Sequence, residues 1–84
     1  MYDVYLIFRS ITHGQTGRAV LRRAGIPSAL VRRPARLSRN GCAYALTLRR
    51  ENWPAARAQL LEADRLPQSV WERGADGGFR RLDP

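Results

Sequence analysis

The sequence predicts a small α+β domain of the ferredoxin-like kind, in which a βαββαβ chain forms a four-stranded antiparallel sheet with two helices on one face. Three observations support this class. The chain has 84 residues, of which 44% are hydrophobic and 26% charged, a composition and length that suit one modest core. Runs rich in β-branched and aromatic residues alternate with two helical patterns, and glycine and proline signals separate them. That order is the split βαβ plan.

The first half of the chain predicts a strand, a helix and a second strand. Residues 2–8 are rich in β-branched and aromatic side chains, as strands are. The helix is expected to begin at Thr12, because residues 12–15 carry the capping-box pattern of a hydroxyl followed three residues later by a glutamine. Gly25 and Pro27 end it. Its inner face is expected at Ala19, Val20 and Ala24.

The second half predicts a strand, a helix and a short last strand. The ranges are 28–33 for the second strand, 34–41 for a loop, 42–48 for the third strand, Asn52 to about Asp64 for the helix and 68–72 for the fourth strand. Residues 1–73 are therefore expected to form the domain, and residues 74–84 a flexible tail. The expected core consists of Val4, Leu6, Phe8, Ala19, Val20, Ala24, Leu46, Leu48, Trp53, Ala56 and Leu60.

The charge balance is strongly basic. All 15 basic residues are arginines, and the formal net charge is +8, so the chain attracts nucleic acid, phosphorylated metabolites and acidic proteins alike. A GC-rich genome would also produce arginine in place of lysine, so charge alone identifies no partner. No apolar run approaches the roughly 20 residues of a membrane helix. Without a secretory leader pattern, the cytoplasm is the expected compartment.

Cys42 is the single cysteine and His13 the single histidine. Together they exclude an internal disulfide and a four-ligand zinc site built from this chain alone. Right-handed crossovers place the end of the first strand, the start of the first helix and the loop before Cys42 at one edge of the sheet. Thr12, His13 and Gly14 are therefore expected at the same end of the domain as Arg39, Asn40, Gly41 and Cys42, with Arg36 in the same loop.

This convergence has a chemical consequence. A helix N-terminus offers unpaired amides and a partial positive charge, and arginine or protonated histidine nearby lowers the pKa of a cysteine. His13 and Arg39 are the side chains expected to activate the Cys42 thiol. Thr12, Gly14, Arg36 and Gly41 are expected to help hold an anion. Two plainer interpretations stay open: Cys42 as a small packed residue, and His13 as a solvated residue that helps to cap the helix.

Four segments carry a family resemblance. They are residues 10–13 (Ser-Ile-Thr-His), 22–27 (Arg-Arg-Ala-Gly-Ile-Pro), 34–38 (Pro-Ala-Arg-Leu-Ser) and 42–46 (Cys-Ala-Tyr-Ala-Leu). In this order they resemble the selenium/sulfur carrier-like family of small bacterial proteins, over about residues 4–73. Departures from the family pattern stand at Ile11, Ala35, Arg36, Gly41 and Ala43.

The resemblance implies a cytoplasmic carrier rather than a turnover enzyme. Cys42 would hold sulfur as a persulfide, or selenium as its analogue, between a donor and an acceptor protein, and no bound cofactor or metal is needed. Two alternatives remain. A nucleic-acid-binding module would use Tyr5 and the segment 40–45, which is similar to the third-strand signature of RNA-recognition domains. A ligand-sensing or oligomerisation module would pair the sheet face of Tyr5, Ile7, Ala43 and Ala45 with a second copy, giving a homodimer.

Overall fold

The structure, a computed structural model, describes residues 1–37 and 43–82. The mixed α+β class, the two helices and the antiparallel sheet predicted from the sequence are confirmed. In chain order the elements are β1 (Val4–Ile7), α1 (Ile11–Arg23), β2 (Ala29–Arg32), β3 (Tyr44–Leu48), a 3₁₀ turn (Arg50–Asn52), α2 (Trp53–Glu62), β4 (Ser69–Arg73) and β5 (Phe79–Leu82).

The sheet has five strands in the order β2-β3-β1-β4-β5, and every neighbouring pair is antiparallel. β1 is the central strand. Leu6 is opposite Leu46 on one side and opposite Val70 on the other, so its side chain lies at the middle of the buried face. The prediction of four strands is wrong, because β5 adds a strand beyond β4.

β5 forms from the segment that was predicted to be a flexible tail. Phe79–Leu82 pairs with β4, with Arg73 opposite Phe79 and Val70 opposite Leu82. Gly77 adopts a positive φ of 84°, and the Gly74 amide donates to the Gly78 carbonyl at 2.7 Å. The glycines that suggested fraying instead make the tight turn of a β4–β5 hairpin, since glycine takes a left-handed conformation without steric cost.

Helix α1 begins one residue earlier than predicted, with Ser10 and not Thr12 as its N-cap. Ser10 has extended φ and ψ of −154° and 165°, and its hydroxyl accepts a hydrogen bond from the His13 amide. Serine is among the best N-cap residues because it satisfies an amide that the helix cannot. The capping-box pattern predicted the start at Thr12, but Thr12 lies inside the first turn.

The inner face of α1 also differs from the prediction. Gly14, Gly17 and Leu21 are the buried residues of the helix, whereas the predicted Ala19 and Ala24 are exposed and Val20 is half-buried. The reason is the ring of Phe8, which is only 3% exposed and occupies the space beneath the helix. A Cβ atom at position 17 would lie 2.9 Å from Phe8 Cζ, so the helix packs on this ring through its glycines.

The main core fills the space between the sheet and the two helices. We call the sheet surface that packs on the helices the helix-side face, and the opposite surface the far face. Eight of the eleven predicted core residues are buried in this cluster, and Leu21 and Val70 join them. The buried set is Val4, Leu6, Phe8, Leu21, Leu46, Leu48, Trp53, Ala56, Leu60 and Val70.

Helix α2 ends slightly earlier than predicted. Asp64 has a positive φ of 55°, and the Arg65 amide donates to the Leu60 carbonyl at 2.8 Å, an arrangement typical of a helix C-terminus. The sequence also predicts that Leu61 shares the apolar face of this helix with Trp53, Ala56 and Leu60, but Leu61 is 51% exposed. The stripe that packs on the sheet is therefore Trp53, Ala56 and Leu60.

A second, smaller core covers part of the far face. Tyr5, Ile7 and Ala45 point to this side, and Leu37 from the segment after β2 packs on them. Leu37 is 4% exposed and Ile7 only 1% exposed. The face that the sequence predicted to be open for pairing is thus largely covered within a single chain, and Ala43 is the member of the predicted set that is exposed.

The central position of Leu6 and Leu46 leads to a stability prediction. Both side chains are fully buried, so Leu6→Ala or Leu46→Ala should lower the free energy of unfolding by ~2 to 5 kcal/mol. Leu61→Ala makes the same chemical change at an exposed site and should cost less than about 0.5 kcal/mol. Urea unfolding followed by circular dichroism measures all three. Equal midpoints for the buried and exposed variants would contradict the assigned core.

The glycines beneath α1 give a second prediction with an internal control. A Cβ at Gly14 would lie 3.8 Å from Phe8 Cδ2, an ordinary contact, whereas at Gly17 the contact is 2.9 Å. Gly14→Ala should therefore stabilise the protein by up to about 1 kcal/mol through helix propensity. In Gly17→Ala that gain is outweighed by overpacking of about 1 to 3 kcal/mol. Thermal melts should rank Gly14→Ala above wild type and Gly17→Ala below it; the reverse order would refute the Phe8 contact.

Candidate functional site

The predicted site residues Thr12, His13 and Gly14 occupy the first turn of α1. This turn follows β1 after three residues, so its position is fixed by the central strand and by Phe8. The Ser10 hydroxyl accepts from the His13 amide at 3.3 Å and lies 2.7 Å from His13 Nδ1. The Ser10 hydroxyl has one proton and two lone pairs, so it donates to Nδ1 or accepts from Nδ1–H according to the tautomer of the imidazole.

This cap decides which backbone groups remain available for an anion. The Gly14 amide donates to the Ser10 carbonyl at 3.1 Å, so it serves the helix, and the His13 amide is used by the Ser10 hydroxyl. Ile11 and Thr12 precede the first intrahelical bond, and their amides have no partner within the helix. No acidic residue lies in the first turn, so the partial positive charge of the helix end is not neutralised there.

A groove of about 390 Å³ lies beside this turn. Arg9 and Arg65 line it with positive charge and His13 with its imidazole ring, and Asp64 is the one carboxylate among the described residues of the lining. The left-handed Asp64 that ends α2 turns the chain here. Sequence reasoning missed Arg9 and Arg65 as neighbours of His13, because no spacing in the sequence links the α2–β4 connection to the start of α1.

Backbone hydrogen bonds hold the described residues on either side of the segment between β2 and β3. The Leu37 amide donates to the Pro34 carbonyl at 3.0 Å, and the Arg33 amide donates to the Ala43 carbonyl at 2.8 Å. Arg36 is exposed in the turn before Leu37. Ala45 in β3 is opposite Ile7, the last residue of β1, and Leu37 belongs to the same buried cluster as these two residues. The described ends of this segment and the start of α1 therefore lie at the same end of the sheet, although Leu37 is on the far face and α1 on the helix-side face.

The other predicted site residues, Arg39, Gly41 and Cys42, lie outside the described residues. Their relation to His13 and Arg36 therefore stays a prediction.

The far face carries a second group of side chains that sequence reasoning did not assemble. The Arg73 guanidinium carbon lies 5.1 Å from the ring centroid of Tyr5 and 5.5 Å from that of Phe79. The guanidinium carbon of Arg81 lies 5.8 Å from the ring centroid of Trp71. These are cation–π distances. We call these five residues the arginine–aromatic face. It was missed because two of its members belong to the predicted tail.

This arrangement determines whether a nucleic-acid base could stack on the ring of Tyr5. Tyr5 is 7% exposed, its ring makes an edge-on contact with Phe79 at 5.6 Å, and Arg73 lies over it. A base cannot stack directly on a ring covered in this way. The RNA-recognition mode that the sequence suggested, with Tyr5 as the stacking platform of β1, is therefore not available in this arrangement.

Comparison with known proteins adds no relative. No family model, no curated protein and no solved structure matches this chain. Within residues 1–37 and 43–82, neither helix has the length and apolar character of a membrane span. The same residues contain no group of three or more histidine, cysteine, aspartate or glutamate side chains placed to hold a metal ion.

Proposed function

We propose that this protein is a sulfur or selenium carrier that holds the chalcogen atom on Cys42. One observation of the fold supports the proposal: the described ends of the segment that contains Cys42 are tied to the end of the sheet from which α1 begins. Arg33 and Ala43 close that segment by a backbone hydrogen bond, and Leu37 belongs to the same buried cluster as Ile7 of β1. The resemblance of residues 10–13, 22–27, 34–38 and 42–46 to the selenium/sulfur carrier-like family supplies the chemistry.

The transfer is a thiol exchange. A donor protein that carries a cysteine persulfide presents its terminal sulfur to the Cys42 thiolate. A new sulfur–sulfur bond forms to Cys42 while the donor's bond breaks, and the donor leaves as a thiolate, so no external oxidant or reductant is needed. An acceptor thiolate then removes the terminal sulfur in the same way. Selenium follows the same sequence with a selenium atom in the terminal position.

The residues at the start of α1 would stabilise the anions in this cycle. Both the thiolate and the persulfide are negatively charged, and the amides of Ile11 and Thr12 with the helix dipole favour such charges nearby. The His13 ring, which is hydrogen-bonded to Ser10 through Nδ1, would add a further donor in the tautomer that carries a proton on Nε2. Arg36 and Arg39 would add positive charge from the loop, and Gly41 a close approach of the backbone.

We also propose that the carrier has a ferredoxin-like fold and acts in the cytoplasm. The order β2-β3-β1-β4, with α1 and α2 on one face, supports a ferredoxin-like unit to which β5 adds an edge strand. The carrier would act in the cytoplasm, where a single free thiol is stable. It would need donor and acceptor proteins and no bound cofactor, and it would act as a shuttle rather than a turnover enzyme.

Loading with sulfur tests the proposal most directly. We expect intact mass spectrometry, after incubation with a cysteine desulfurase and cysteine, to show an added sulfur atom on the wild-type protein. Reduction with dithiothreitol should remove the adduct, since it is a persulfide. Cys42→Ser should show no adduct because it lacks the carrier thiol. Failure to load the wild type under conditions that load an authentic carrier would refute the assignment.

The environment of Cys42 gives a further prediction. We expect the thiol to be accessible, and its pKa to lie below the ~8.5 of an unperturbed cysteine. The pH profile of iodoacetamide alkylation should then move to higher pH in His13→Ala and in Arg39→Ala. Arg22→Ala removes a charge at the other end of α1 and serves as the control that should leave the profile in place. A thiol that reacts only after denaturation would be a packed core residue, and the carrier role would fail.

A further inference from the structure

The β4–β5 hairpin presents arginine and aromatic side chains together on the far face. Alternation along the strands places Trp71 and Arg73 of β4 on the same side as Phe79 and Arg81 of β5. The register sets Trp71 opposite Arg81 and Arg73 opposite Phe79. Each guanidinium therefore lies over a ring of the neighbouring strand. Both arginines are exposed, and both rings are half-buried.

The hairpin holds these side chains in place before any ligand arrives. The Trp71 indole Nε1 donates to the Ser69 hydroxyl at 3.0 Å, which fixes the orientation of the ring. The Gly78 amide donates to Asp76 Oδ1 at 3.0 Å and closes the turn. Because a stacked guanidinium has lost freedom already, less entropy is lost when it binds a ligand.

The charge of this surface is positive. Glu72 is the acidic residue within the two hairpin strands, and it lies between Trp71 and Arg73 in the sequence. Its carboxylate, however, forms ion pairs with Arg50 and Arg80, and the alternation of β4 puts it on the helix-side face. Arg73 and Arg81 thus have no carboxylate of their own strands beside them, in a chain whose formal net charge is +8.

We propose that the arginine–aromatic face binds single-stranded nucleic acid. Guanidinium N–H groups bind phosphates, while the guanidinium planes, which lie over the rings of Trp71 and Phe79, offer stacking surfaces for bases. Diagonal neighbours across a strand pair lie about 7 to 8 Å apart, so Arg73 and Arg81 can contact different phosphates. A second copy of the same face would bring like charges together. This inference does not depend on the carrier proposal, and Tyr5 is not used for stacking.

The test compares two double variants with the same change in net charge. R73Q/R81Q removes the arginines of the hairpin, and R22Q/R23Q removes two exposed arginines of α1, on the other side of the sheet. Fluorescence anisotropy with a labelled 12-nucleotide oligouridylate is measured at several salt concentrations. R73Q/R81Q should bind about tenfold more weakly than wild type, with a salt slope shallower by about 1.4, because each phosphate contact on a single strand contributes roughly 0.7. R22Q/R23Q should stay within about twofold of wild type.

Three results would overturn the inference. The first is an equal loss of affinity in both double variants, which would mean that only net charge matters. The second is no wild-type binding at low salt, and the third is a wild-type dimer in sedimentation that dissociates in R73Q/R81Q. Circular dichroism checks that each variant folds, and if R73Q/R81Q does not, R81Q against R22Q makes the same comparison. The same measurement with a labelled oligothymidylate, which lacks the 2′-hydroxyl, shows whether binding requires that group or only the phosphates and bases.

Discussion

The packing of α1 on the ring of Phe8 is the constraint on which the position of the candidate site depends. Phe8 follows the last residue of the central strand, and its buried ring lies beneath Gly14 and Gly17. Because neither position has a side chain, the helix backbone approaches the sheet closely. The first turn of α1 is thereby fixed relative to β1. The hydrogen bonds of the cap then position Ser10 and His13 relative to each other.

The sheet is built to be covered on both sides, but by different means. On the helix-side face two helices exclude water with aliphatic side chains and Trp53. On the far face, among the described residues, Leu37 of the segment after β2 packs in the smaller core, and arginines lie over aromatic rings. The first cover stabilises the fold through apolar burial. The second leaves charged groups at the surface, and it therefore combines a structural role with the capacity to attract anions.

The sequence was sufficient for the helices, the central strands and most of the main core, because Val4, Leu6, Leu46 and Leu48 follow the strand period and Trp53, Ala56 and Leu60 the helix period. The prediction of the inner face of α1 failed because the deciding residues have no side chain. The inner face of α1 is made by glycines, which no hydrophobic pattern counts. β5 was missed because its strand pairs only after Gly77 turns the chain, and a glycine-rich segment with arginines resembles a disordered tail.

The candidate site was predictable to a similar degree. Thr12, His13 and Gly14 could be placed at a helix start from local signals, since a cap is a local interaction. Arg9 and Arg65 join His13 only through the tertiary structure, and the arginine–aromatic face depends on the register of β4 with β5. Both groupings depend on tertiary contacts between segments that are distant in the sequence. These contacts, including the pairing of β4 with β5, could not be predicted from a single sequence.

The ends of the sheet explain part of the excess of arginine. β2 and β5 are the outermost strands, and exposed strand edges tend to recruit strands from other molecules into aggregates. Each edge here carries two consecutive arginines: Arg32 and Arg33 at the end of β2, followed by Pro34, and Arg80 and Arg81 within β5. Two copies that approached edge to edge would meet with like charges, and the proline cannot donate a ladder hydrogen bond. Arginines at both edge strands, and Pro34 after β2, therefore disfavour edge-to-edge aggregation of this sheet.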